Sequence, residues 1–177
     1  MKNGLYVIDT NVLVTANKSR TMKNEPKELH DCIRTCVDVL DSVKQTKQVV
    51  LDFDDEIFIE YINNLSLSGQ PGQGDAFIKW LHQNRWSFPD SQRVKITKAG
   101  DSYTEFSDHP DLADFDISDR KFVATANAHD EKPPILQATD SKWWGWKDAL
   151  EESGISVQFL CPKYIQTKYE KKMVTGE

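Results

Sequence analysis

The chain has 177 residues, 38% of them hydrophobic and 28% charged. That suits one domain burying about 70% of the surface its unfolded chain exposes, and no stretch approaches the ~20 apolar residues of a membrane span. Twenty-eight acidic side chains against 22 basic ones give a net charge of −6, which excludes a broadly basic nucleic-acid wrapper. It does not exclude a nuclease, because acids gathered round a cation count against net charge while the cation restores the local sign.

The early apolar runs Leu5 to Ile8 and Val12 to Val14 are interrupted by Asp9, which argues against a signal peptide. Three cysteines, an odd number, argue against a disulfide framework and for a reducing, cytoplasmic setting. Leu5 to Ile8 reads as a short buried strand and Val12 to Asn17 as the start of a helix. Residues 26 to 44 form the clearest helix: Pro26 suits a first turn, and Leu29, Cys32, Ile33, Cys36, Val37 and Leu40 make one apolar stripe. On that stripe Cys32 and Cys36 read as core packing rather than as zinc ligands with His30. Gln48 to Phe53 reads as a second strand. Asp54 and Asp55 are expected to cap a helix through Ile57, Tyr61 and Leu65.

Ser66 to Gly74 is a loop by composition, without the Gly-Lys-Ser/Thr ending of a phosphate-binding loop. Asp75 is expected to cap a helix carrying Phe77, Ile78 and Leu81. Val94 to Thr97 reads as a short strand, and residues 99 to 114 as polar and irregular. Ser118 is expected to cap a helix with Phe122, Val123 and Ala126 inward. Ile135 to Ala138 is a third strand, Ser141 to Glu152 a helix stopped by Gly154, and Ile155 to Leu160 the last strand. Trp143, Trp144 and Trp146 lie on that last helix, at least one of them in the core. Residues 163–177 read as a Lys-rich extension or frayed helix, with Lys168, Lys171 and Lys172 a solvated charge run. Strands alternating with helices imply a three-layer α/β/α domain over residues 1–162 with a central, mainly parallel sheet. In such sheets ligands sit beyond the carboxyl ends of the strands.

That rule singles out the acids. Asp9 closes the first strand and Asp140 the third, so both fall at one edge of a parallel sheet. Positions 122, 123 and 126 lie within about 60° of position 119 around a helix, which puts Asp119 on the core-facing side at the same edge. A fourth acid is expected from the helix after the second strand, either Glu60 or Glu56. Converging carboxylates repel each other without a cation, and an all-oxygen setting suits Mg²⁺ or Mn²⁺.

Four segments resemble the PIN-domain nucleases: Val7-Ile8-Asp9-Thr10-Asn11-Val12-Leu13, Ile57-Phe58-Ile59-Glu60-Tyr61, Asp116-Ile117-Ser118-Asp119-Arg120-Lys121-Phe122-Val123-Ala124 and Ala138-Thr139-Asp140-Ser141. They occur in the family's order, and the resemblance covers about residues 4 to 160. It implies a metal-dependent endonuclease, most often acting on RNA rather than DNA. Asp9, Glu60, Asp119 and Asp140 would be the metal-binding and catalytic acids, and Asn11 and Thr139 their polar supports. Asp116 competes with Asp119 for the third place. The stretch from Trp86 to Asp114 is longer than in the compact toxin members of the family. Lys18, Arg120 and Lys121, with Arg20 and Lys23, are the expected phosphate contacts. A protein partner such as an antitoxin and pairing as a homo-oligomer are both open, and no membrane is expected. From a different class, the alternative is a catalytically silent PIN-like binding module. An aspartyl-nucleophile phosphatase is disfavoured, because Asn11 stands where a second Asp is wanted.

Overall fold

The computed structural model describes residues 4–176. In chain order the elements are β1 (Val7–Ile8), α1 (Thr10–Asn17), α2 (Lys27–Thr46), β2 (Leu51–Asp52), α3 (Glu56–Asn64), α4 (Gln73–Asn84) and β3 (Arg93–Val94). There follow β4 (Lys98–Ala99), β5 (Ser102–Tyr103), α5 (Arg120–Ala128), β6 (Ile135–Gln137), α6 (Ser141–Glu152), β7 (Val157–Phe159) and α7 (Pro162–Thr175). The class is α/β, as the alternating pattern predicts.

A three-stranded parallel sheet runs β1-β6-β7, with Val7 opposite Ile135 and Ile8 opposite Leu136. A second parallel pair, β2-β3, is tied to it by a parallel bridge between Tyr6 and Val49. Parallel strands need crossovers, and here α1 to α6 supply them. The strands are short but buried: Val7, Ile8, Ile135 and Leu136 have no exposed surface. Helix α2 buries Leu29, Cys32, Ile33, Cys36, Val39, Leu40 and Val43, so the three-and-four periodicity finds most of its core face, while Val37 is only half-buried and Val39 and Val43 complete the stripe.

Several local expectations change. The second strand is confined to Leu51–Asp52, because Gln48 to Val50 meet β1 only through one bridge. Neither Asp54 nor Asp55 caps α3. The carboxylate of Asp52, fully buried, reaches forward and accepts from the backbone N–H groups of Glu56 (2.8 Å) and Ile57 (2.9 Å). Asp55 instead adopts a left-handed conformation and pairs with Arg85 at 3.4 Å. Asp75 lies inside the first turn of α4, accepting from Gly72 N–H (2.9 Å) and Ser66 N–H (2.7 Å), so it closes the preceding loop onto the helix. Ser118 does not cap α5: a 3-10 turn over Ile117–Asp119 precedes that helix, and Asp116 caps the turn. The segment expected to be irregular, residues 99 to 114, holds all but the first residue of the β4-β5 hairpin, and it buries Leu112. The Lys-rich tail is a helix, α7, docked through fully buried Ile165.

The cysteine expectation is also corrected. Cys32 in α2 and Cys161, the residue before α7, form a disulfide across 129 positions, leaving Cys36 free and buried. An odd count leaves one thiol over but does not forbid a pair, and a partner so far along the chain leaves no local spacing to read. The count therefore gives no ground for a reducing compartment. No helix among the described residues is long and apolar enough to cross a membrane.

Candidate functional site

The parallel register sets the site. The backbone N–H of Asp9 donates to Leu136 C=O at 3.0 Å, so β1 and β6 end level. Beyond those ends the chain turns into α1 and α6, and the residue immediately before each helix is an acid. Asp9 caps α1 by accepting from Asn11 N–H (2.8 Å), and Asp140 caps α6 by accepting from Lys142 N–H (3.0 Å). One carboxylate oxygen of each is left without a hydrogen bond among the described residues.

Two cross-links hold the rim. Asn11 Oδ1 accepts from Thr139 N–H (2.6 Å) and Thr139 Oγ1 (2.9 Å), which fastens the β1-α1 turn to the β6-α6 turn. Thr10 Oγ1 donates to Glu60 Oε1 at 2.6 Å, which brings the second turn of α3 against the start of α1. Behind them the buried Tyr61 hydroxyl donates to the Ile8 carbonyl. Asp119 comes from the turn before α5, and its Oδ2 accepts from the indole N–H of Trp143 at 3.0 Å.

The electrostatics report how near these acids are to one another. Burial pushes the Asp9 carboxyl well above the usual range, and the negative charges of Asp119, Glu60 and Asp140 push it further, against the lowering effect of the Asn11 N–H. Burial likewise raises Asp119, to about 6; the Trp143 bond opposes this, while Asp116, Glu60 and Asp140 add to it. Like charges held together without a counter-ion produce this pattern. Among the described residues no Lys, Arg or His forms a salt bridge to Asp9, Asp119 or Asp140.

The two open choices separate in space. Glu56 turns away to the β4-β5 hairpin, pairing with Lys98 (2.8 Å) and accepting from Tyr103 (3.2 Å), whereas Glu60 faces Thr10 and the acids. Asp116 pairs with Lys142 at 3.1 Å, and that bond holds its carboxyl below the usual range. Ser118 Oγ lies between the two neighbours, 3.1 Å from Asp116 Oδ1 and 3.2 Å from Asp119 Oδ1.

The expected phosphate contacts are partly engaged. Arg120 donates to the carbonyls of Ala113 (2.8 Å) and Phe115 (3.2 Å), so its guanidinium braces the preceding loop. Lys121 is bonded to Glu60 and to the Ser118 carbonyl. Lys18 is paired with Glu25 at 3.4 Å and is 40% exposed. Sequence reasoning missed three participants. Thr10 and Trp143 position Glu60 and Asp119. Lys168, read as part of a solvated run, donates to the Thr139 carbonyl at 3.0 Å. Burial lowers its ammonium, opposed by the nearby charge of Asp140. Only the docking of α7 brings it there.

Every candidate ligand atom at this rim is oxygen, the donor type that hard divalent ions take, and a cation there would offset the crowded negative charge around Asp9. Among the described residues, the cluster of ligand atoms within 4.8 Å of one another is instead Cys32, Cys36 and Cys161, two of which are joined in the disulfide. The carboxylates stand wider, so holding an ion at the ~2.0–2.1 Å of Mg²⁺–oxygen bonds requires them to swing inward. No protein-family model matches this chain, and no curated protein or solved structure is significantly similar to it.

Proposed function

We propose that this protein is a divalent-metal-dependent endonuclease of the PIN type, a three-layer α/β/α domain hydrolysing phosphodiester bonds in single-stranded or structured RNA. The observation that supports the reading is that Asp9, Glu60, Asp119 and Asp140, from four separate segments near the carboxyl end of a parallel sheet, lie close enough to raise one another's titration. Structural carboxylates are usually matched by cations. Here Asp9 is 4% exposed, crowded by three other acids and bonded to one backbone N–H.

Asp9, Glu60 and Asp140 would hold Mg²⁺ or Mn²⁺, with Asp119 holding a second ion or orienting the attacking water. Such an ion, when bound, lowers the pKa of its water and neutralises charge developing on the phosphate. The chain's own residues set the stage for that chemistry. Asn11 and Thr139 fix the separation of the Asp9 and Asp140 turns. Trp143 holds one Asp119 oxygen and leaves the other toward Ser118. Lys121 neutralises Glu60, and a cation bound at Glu60 would leave that ammonium available to the substrate backbone. No histidine is needed as base.

The test is cleavage of labelled single-stranded RNA, with a DNA strand in parallel, by the purified chain in Mn²⁺ or Mg²⁺. Cleavage should stop in excess EDTA. Asp9→Asn should lower the rate by about a thousandfold or more while the circular dichroism spectrum is unchanged. Full activity in EDTA, or in the Asp9→Asn protein, overturns the proposal.

A further inference from the structure

A cleft of about 730 Å³ does not contain the four central acids but opens beside them. Its lining includes Asp114, Asp116, Ile117, Lys142, Trp146 and Tyr169. It is joined to the site by two routes. One is polar: Asp119, Ser118, Asp116 and Lys142 follow one another by hydrogen bonds of 3.1–3.2 Å. The other is aromatic: Trp143, which holds Asp119, packs edge-on against Phe115 at 5.0 Å, and Phe115 backs Trp146 at 4.6 Å. The walls are built rather than incidental. Arg120 spends its guanidinium on the carbonyls of Ala113 and Phe115, fixing the loop that forms one side. On the other side a Cβ at position 145 would come within 2.9 Å of the Tyr169 ring, so that ring lies directly on the Gly145 backbone.

We propose that this cleft is a nucleobase subsite, taking the base next to the phosphate held at the acids and favouring bases with an exocyclic amino group. The inference rests on the nuclease reading and deepens it. A flat neutral ring suits the half-buried Trp146 and Tyr169, since stacking on aromatic side chains accepts any base face. A phosphate does not suit it: of the two cations in its lining, Arg120 is spent on the Ala113 and Phe115 carbonyls and Lys142 is paired with Asp116 at 3.1 Å, which leaves the negative charge of Asp114. Asp116 is engaged by Ser118 and Lys142, which leaves the Asp114 carboxylate; it accepts hydrogen bonds only, so it matches the two N–H donors of an exocyclic amino group better than uracil, whose single N3–H is flanked by carbonyls. Lys142, with a side chain 56% exposed, stands between the cleft and the acids, where it can meet the connecting backbone.

The test separates this subsite from the chemistry. Binding of short fluorescein-labelled oligo(A), oligo(C) and oligo(U) RNAs is measured by anisotropy on the full-length Asp9→Asn protein in Mg²⁺. Cleavage is measured on the otherwise unaltered chain. Oligo(A) and oligo(C) should bind more tightly than oligo(U). Adding Trp146→Leu, which keeps an apolar group against Phe115, should weaken oligo(A) binding by about 5- to 150-fold. Adding Asp114→Ala should bring oligo(A), oligo(C) and oligo(U) to similar affinities. If Trp146→Leu unfolds the chain, exposed Ile117→Ala replaces it and should weaken oligo(A) in the same direction. Equal binding of the three oligomers, or unchanged oligo(A) affinity in a folded Trp146 or Ile117 variant, overturns the subsite even when RNA is cleaved. Conversely, base-selective binding without metal-dependent cleavage sinks the nuclease reading and leaves the subsite standing.

Discussion

The indole N–H of Trp143 donates to Asp119 Oδ2 at 3.0 Å, and the ring that carries it is completely buried. A tryptophan fixed by the core thereby fixes a carboxylate at the rim. The bond stabilises the ionised acid against burial and against its acidic neighbours, which together lift Asp119 to about 6. Trp143→Phe keeps the packing against Phe115 and removes the donor. Asp119 should then titrate higher, so the acid limb of the pH–rate profile in Mn²⁺ moves to higher pH while the alkaline limb stays. Loss of the bond should also cost about 1 kcal/mol in urea unfolding. An unmoved acid limb would separate Asp119 from the reaction.

The same crowding makes the metal-free fold prefer protons. Asp9 and Asp119 both titrate higher folded than unfolded, so between about pH 4 and 6 the folded state binds more protons. Stability in EDTA should therefore rise as pH falls from 7 to 5. Asp75 and Asp116 are shifted downward and act below this window, so they do not cancel the effect. Asp119 alone contributes about 1 kcal/mol over that step, or roughly 2–4 °C in midpoint. Differential scanning calorimetry at pH 5 and 7 checks it, and Asp119→Asn should flatten the difference. Saturating Mn²⁺ should reverse the trend, since the ion competes with the protons.

The acids are legible in the sequence because strand, acid and helix follow one another, and strand ends in a parallel sheet share an edge. Asp9 and Asp140 need nothing more. Glu60 and Glu56 sit one turn apart, and only the β4-β5 hairpin, which draws Glu56 away through Lys98 and Tyr103, separates them. That hairpin lies in a stretch with no clear periodicity. Asp52 was hidden by its neighbours: three acids stand at the β2-α3 junction, and local capping rules favour the two nearest the helix. Trp143, Lys168 and the Cys32–Cys161 pair depend on contacts between segments far apart in the chain, for which a single sequence carries no period.

Lys121 offers a direct probe of Glu60. It is bonded to that carboxylate with a side chain only 12% exposed, in the place where a cation would compete. Lys121→Met keeps the stem and removes the charge. In EDTA, Glu60 is then left facing the other acids unpaired, and the midpoint of thermal unfolding should fall by several degrees. Calorimetric titration with Mn²⁺ should show tighter binding, by about tenfold for each 1.4 kcal/mol of repulsion removed. Weaker or unchanged affinity would mean that Glu60 is not a ligand.

Asp52 connects sheet to site through α3. It neutralises two orphan N–H groups at the start of that helix, deep enough that burial raises its own carboxyl despite those bonds. Asp52→Ala leaves both donors buried and unpaired, at a cost of about 1–3 kcal/mol in urea unfolding. Because Glu60 lies one turn further along, Mn²⁺ affinity should fall as well. Asp52→Asn retains one acceptor oxygen and should be milder on both measures. Equal losses for the two variants would argue that charge, and not capping, is the contribution of Asp52.

The Cys32–Cys161 pair fastens the start of α7 to α2, and through α7 it governs where Lys168 meets Thr139. Cys36 lies within 4.8 Å of both sulfurs, yet burial pushes its thiol up to about 12. Since the thiolate is the attacking species, that burial disfavours exchange of Cys36 with the pair. Closing a loop of 129 positions restricts the unfolded chain strongly, so reduction or Cys161→Ser should cost about 2–5 kcal/mol. The helix α7 should loosen first: limited trypsin digestion of the reduced protein should cut among Lys163, Lys168, Lys171 and Lys172 before it cuts in α2. Cys36→Ser should leave both the midpoint and the digestion pattern of the oxidised protein close to those of the parent. Unchanged stability on reduction would show that α7 is held by Ile165 and its neighbours alone.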